Sequence, residues 1–163
     1  MTDGFDAYAE LIEKLVDAEA ARKISLEQKA GAVITTSGTL VTLLFGLVAV
    51  LTTHQSYAVP SAAHSWLGAA VLLFTLAAVT AIYISVPRPY GQTEMTQNEL
   101  RAHWSDPLIK ARAAVASARL QALETARKTN TVKARMLTAA TGIEVVAVLT
   151  LAIAVVIMLR QAH

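Results

Sequence analysis

The chain has 163 residues, 55 % of them hydrophobic and only 16 % charged, with a mean hydropathy of +0.48. That is too apolar for a single soluble domain with a wetted surface, so the excess must face lipid. Net charge is +2 and cysteine is absent, which excludes disulfides, thiolate metal sites and cysteine nucleophiles.

Within the expected cytoplasmic segment 1–30, residues 1–25 begin acidic and lack a leading apolar core, so a cleavable signal peptide is not expected there. Phe5, Tyr8, Leu11, Ile12, Leu15, Val16 and Ala18 recur largely at three- and four-residue steps, with Asp6, Glu10, Glu13, Lys14 and Asp17 between them. That spacing predicts an amphipathic helix. Residues 31–53 are the first of three apolar runs free of Lys and Arg, the others being 66–86 and 137–159. At ~1.5 Å per helical residue each covers a hydrocarbon core of roughly 30 Å. Gly31 alone does not stop the N-terminal helix from continuing into the first run.

Residues 54–65 form an expected outer loop with no Lys or Arg, and its His54 and His64 lack a nearby carboxylate, so they read as solvated rather than as metal ligands. Residues 87–136 hold a linker with Pro87, Pro89 and Gly91, a capping box from Thr96 to Glu99, and the pair His103 and Trp104 as a packing or membrane-surface anchor. A second long helix then starts near Pro107, with Ser105 and Asp106 as N-caps and Leu108, Val115, Leu123, Ala126 and Val132 as spaced apolar positions. No Gly or Pro follows before Gly142, so this helix is expected to run into the third span as a rod of ~80 Å. Residues 160–163 form a short outer tail.

Thirteen of the fourteen Lys and Arg residues fall on one side of the bilayer if the N-terminus is cytoplasmic and the C-terminus outside. Tyr57 and Trp66 at the outer ends, and Tyr83 and Tyr90 at the inner end of the second span, suit the interfacial aromatic belt. The expected fold is an all-α membrane protein of three transmembrane helices, with the first and third extended into a cytoplasmic helical hairpin.

Glu144 is the only acidic residue inside a span, and such a carboxyl is costly without a partner. It marks a pore or relay, or an interhelical contact to Thr35, Thr36 or Ser37; the competing reading is that it snorkels inward to Lys29, Lys133 or Arg135. Gly31, Thr35, Gly38, Thr42 and Gly46 share one helix face, either for homo-oligomerisation or for packing on the other two spans of the same chain. Arg22, Lys23, Lys29, Arg127, Lys128, Lys133 and Arg135 form a basic girdle for anionic lipid, or more sharply for a phosphate-bearing ligand. No phosphate loop, HExxH, GxSxG or paired acidic motif occurs, so an enzyme is not expected, and no cofactor or nucleic-acid partner is implied.

The order of parts, with Leu26, Glu27, Gln28 and Lys29 entering the first span, a close second span, and a long helix bearing Asn130 and Lys133 before the last span, resembles the bacterial Pycsar and related CBASS transmembrane effector families. The resemblance implies a small effector of the bacterial inner membrane that disrupts the bilayer during phage defence when a nucleotide messenger signals. No cyclic-nucleotide-binding domain is recognisable, so a separate sensor or another stimulus would be needed. The expected function is thus an oligomeric, membrane-permeabilising effector; the alternative is a non-conducting scaffold or accessory subunit whose cytoplasmic helices recruit a protein partner.

Overall fold

The computed structural model describes residues 3–53, 61–86, 101 and 107–161. Nearly all of them lie in three helices: α1, Asp3–Thr53; α2, Ser61–Ser85; and α3, Leu108–Gln161. Each contains a stretch long and apolar enough to cross a membrane. No strand occurs among the described residues.

Helices α1 and α3 run through the change from charged to apolar sequence without a break, over 51 and 54 residues. Neither contains an internal proline, and Gly31, Gly38, Gly46 and Gly142 all keep helical backbone without a positive φ. At its start α3 begins one residue later than expected. The Pro107 carbonyl accepts the backbone N–H groups of Lys110 (2.8 Å) and Ala111 (3.2 Å), so Pro107 stands at the threshold of the first turn. Helix α2 begins at Ser61, which moves residues 61–65, His64 included, from the expected outer loop into the helix. Ala62 and Ala63 favour this extension. His54, Tyr57, Tyr90, the capping box, His103, Trp104 and the caps Ser105 and Asp106 lie outside the described residues.

The chain divides into two compact units. One, here the polar unit, comprises Met1–Leu26 and Pro87–Lys133; the other, the apolar unit, comprises Glu27–Val86 and Ala134–His163.

In the apolar unit the buried residues of α2 are Ala63, Leu67, Ala70, Phe74, Ala77, Ala81 and Ile84, in alternating steps of four and three. That is the spacing of a helix–helix seam, and its alanines let neighbouring backbones come close. One core cluster joins Leu44 of α1, Ala63 and Leu67 of α2, and Ala154 and Met158 of α3. A second joins Ala70, Phe74 and Ala147, with Leu40 and Val41 packed against it. Descending α1 and α3 thus corresponds to ascending α2, so α2 is antiparallel to both. Outward lie Leu43, Phe45 and Val50 of α1, Leu72, Leu76 and Val79 of α2, and Val145, Leu149 and Ile153 of α3. A surface this apolar is the inverse of a water-soluble bundle. Trp66 and Tyr83, near opposite ends of α2, are both exposed.

The polar unit holds less apolar burial. Among its described residues Ile12, Leu26 and Leu123 are the buried hydrophobic side chains. Tyr8 (70 % exposed), Leu11, Leu108 and Val132 (55 %) point outward, against the expectation that they would face the core, and Val115 is exposed along an open groove between the helices. The seam passes instead through Leu123, Asn130 and Lys133, and a residue two positions from Asn130 falls on the far side of the helix. Phe5 lies among residues whose side chains are not described.

Candidate functional site

Within the apolar unit, the seam between α1 and α3 carries a polar pair. Ser37, 1 % exposed, donates its hydroxyl to Glu144 Oε1 at 3.1 Å. Glu144 itself is half-buried, and among the described residues it has no ion pair. Of the three hydroxyl residues considered for Glu144, Ser37 is the one the helix turns inward; Thr35 and Thr36 are exposed, and Thr35 bonds back to the Gly31 carbonyl at 3.0 Å. Most threonines of the spans do the same, including Thr39, Thr42, Thr75, Thr138 and Thr150 with the carbonyl four residues earlier. Such back-bonding lets a hydroxyl sit in an apolar setting without an external partner. Ser37 departs from that habit, reaching across to another helix.

The small-residue face stands apart from that seam. Helix α1 buries Ala30, Val33, Ser37 and Leu44, whereas Thr35, Gly38, Thr42 and Gly46 are exposed and Gly31 half-buried. A Cβ placed on Gly31, Gly38 or Gly46 would meet nothing within 4 Å. Packing of this face on the other two spans of the same chain is therefore not what holds the apolar unit together.

In the polar unit the basic residues are largely occupied by carboxylates. Glu19 Oε1 lies 3.6 Å from Arg22 Nη1 and 3.7 Å from Arg127 Nε, and Glu19 Oε2 accepts a hydrogen bond from Asn130 Nδ2 at 2.9 Å. The same Nδ2 donates to the Glu19 backbone carbonyl at 3.0 Å, and Asn130 is fully buried. Lys128 pairs with Glu124 at 2.7 Å, and Arg119 with Glu13 at 3.9 Å. The Lys128 ammonium holds the Glu124 carboxyl below its ordinary range by hydrogen bond and by charge. Lys133 is 4 % exposed and engaged, Lys23 is half-buried and engaged, and Lys29 and Arg135 are exposed. The seven girdle residues are thus divided between the units, and Arg22, Arg127 and Lys128 spend their charge on neighbouring carboxylates.

The contacts Glu13 to Arg119 and Glu19 to Arg127 and Asn130 advance together along both helices. The expected pairing of the first and third helices accordingly takes the form of a parallel pair. An open groove of about 380 Å³ lies between them, lined by Ala9, Ile12, Ala111, Val115 and Ala116, with Arg112 and Arg119 at its margins.

Sequence reasoning passed over the Glu19–Asn130 contact. Its signal is the three-and-four stepping through 123, 126, 130, 133 and 137, which places an amide on the buried side; an amphipathic reading that counts only apolar residues skips it. His64 is exposed, and no group of three His, Asp or Glu residues among the described residues is arranged to hold a metal ion. The chain matches no protein-family model, no curated protein and no solved structure at a significant level.

Proposed function

We propose that this chain is a membrane effector that acts as an assembly of several copies, in which the α1–α3 seam around Glu144 borders a path for ions. The observation that carries this reading is the contact between Ser37 and Glu144. A carboxyl at span depth with one hydroxyl partner is expensive in a lipid-facing monomer and reasonable beside water or a further polar group. Three helices are too few to enclose such a path, so the proposal needs more than one copy. The open face of Gly31, Thr35, Gly38, Thr42 and Gly46 supports it, because small residues allow close approach of another helix. The N-terminus and the polar unit lie in the cytoplasm by the distribution of Lys and Arg. The setting is the bacterial inner membrane and a nucleotide-signalled defence response, with the stimulus supplied by a separate sensor.

The test is native mass spectrometry of the full chain in nanodiscs, joined to ion efflux from vesicles holding it. An assembly of four or more copies, with efflux altered by Glu144→Gln, supports the proposal. A monomer or dimer that passes no ions under any nucleotide refutes it. That result would favour a non-conducting scaffold, for which the specific observation is the open groove of the polar unit beside exposed Tyr8, Leu11, Leu108 and Ile109.

A further inference from the structure

We infer that the Glu19–Asn130 contact is the device that fixes the register of the parallel α1–α3 pair in the polar unit, acting on alignment rather than on strength. The pair needs such a device. Its buried hydrophobic side chains among the described residues are only Ile12, Leu26 and Leu123, too few for apolar packing alone to select one register firmly. Alanines fill much of the remaining surface, Ala9, Ala111 and Ala116 among them, and small side chains resist sliding weakly.

Asn130 removes that freedom. Its side-chain nitrogen carries two hydrogens, and both find acceptors on one residue of the facing helix: the Glu19 carbonyl at 3.0 Å and Oε2 at 2.9 Å. The other carboxylate oxygen is held by Arg22 of the same helix and Arg127 of the opposite one. No buried side-chain nitrogen or oxygen among the described residues lacks a partner, so the network is complete in this register. In the two registers one heptad away, residue 130 comes opposite Leu26 or Ile12, and Glu19 comes opposite Leu123 or Leu137. Each would leave the fully enclosed amide without its carboxylate acceptor, with a backbone carbonyl at most, and set a mostly enclosed carboxylate against a leucine. An unpartnered buried polar group disfavours a state by roughly ten- to a hundred-fold. Apolar seams with one buried asparagine use the same principle to select alignment.

The chain has no cysteine, so cysteine pairs report the register directly. In nanodiscs holding the full chain, Glu13→Cys is combined in turn with Arg119→Cys (the observed register) and with Arg112→Cys or Ala126→Cys (one heptad either way). Each is bridged with a short bis-maleimide, and intrachain products are quantified by peptide mass spectrometry. In the otherwise native chain the first pair should dominate. Asn130→Leu should keep its helical circular dichroism while the ratio of observed to slid products falls about tenfold or more. Glu19→Gln, which keeps an acceptor for Asn130 and loses the two ion pairs, should hold the observed register. The inference is overturned if Asn130→Leu yields the observed register alone, or if it loses helix content, since the contact would then serve strength and not alignment.

Discussion

Removing the Ser37 hydroxyl measures what the Glu144 contact contributes. Ser37 is 1 % exposed and donates at 3.1 Å to a half-buried carboxyl, so Ser37→Ala takes away the one hydrogen bond from α1 while changing volume by a single oxygen. In water, hydrogen bonds to charged groups contribute about 1.5–3 kcal/mol. Between helices in a bilayer the average is nearer ~0.6 kcal/mol with a maximum near ~1.7, because the separated helices also find partners. Full burial of the donor and partial burial of the acceptor place this pair toward the upper part of that range, at about 1–1.5 kcal/mol. The assay is a double-mutant cycle over Ser37→Ala and Glu144→Ala, with unfolding followed in bicelles by steric trapping. Both single variants should lose stability, and the double should lose less than their sum by about that amount. Additive losses within about 0.3 kcal/mol would refute the coupling and return Glu144 to the role of a snorkelling side chain.

Three further outcomes are expected. Phe74, fully buried against Ala70 and Ala147, should cost about 3–5 kcal/mol on Phe74→Ala and distinctly less on Phe74→Leu, read in the same assay. Gly38→Ala meets open space and should leave the monomer at least as stable, whereas Gly38→Leu should lower the oligomeric mass seen in nanodiscs; an unchanged mass removes the small-residue face from the assembly. Glu124 is held below the ordinary carboxylate range by Lys128, so the support of this pair is complete above the ordinary value and fades as pH falls through the lowered one. Carbon-detected titration should place the Glu124 midpoint below the ordinary carboxylate value, and Lys128→Ala should move it back up toward that value.

The gross architecture was legible because each level of the sequence pointed the same way. Three runs without Lys or Arg predicted three apolar helices, and the lack of Pro or Gly between Leu108 and Gly142 predicted the continuous α3. Facing directions were less legible in the polar unit. Tyr8, Leu11 and Val132 satisfy an amphipathic count yet point outward, because the seam follows three-and-four steps that admit Lys23, Asn130 and Lys133 and pass these residues by. The inward turn of Ser37 was one of three options set by depth alone. A one-residue shift rotates a helix by about 100°, enough to separate Ser37 from Thr36 and Gly38, and depth carries no information about rotation.

Polar residues on the α1–α3 seam do different work from the alanines beside them. Alanines such as Ala140, Ala147 and Ala154 are fully buried and small, which lets neighbouring backbones come close without a directional contact. Ser37 with Glu144 in the apolar unit, and Glu19 with Asn130 in the polar unit, each match in one alignment only. Each pair therefore holds the two helices of its own unit to one register. The consequence can be tested without reference to activity: replacing all four by leucine should retain three long helices while the cross-linking pattern spreads over several registers. A single sharp pattern in that quadruple variant would assign alignment to the shapes of the alanine seam instead.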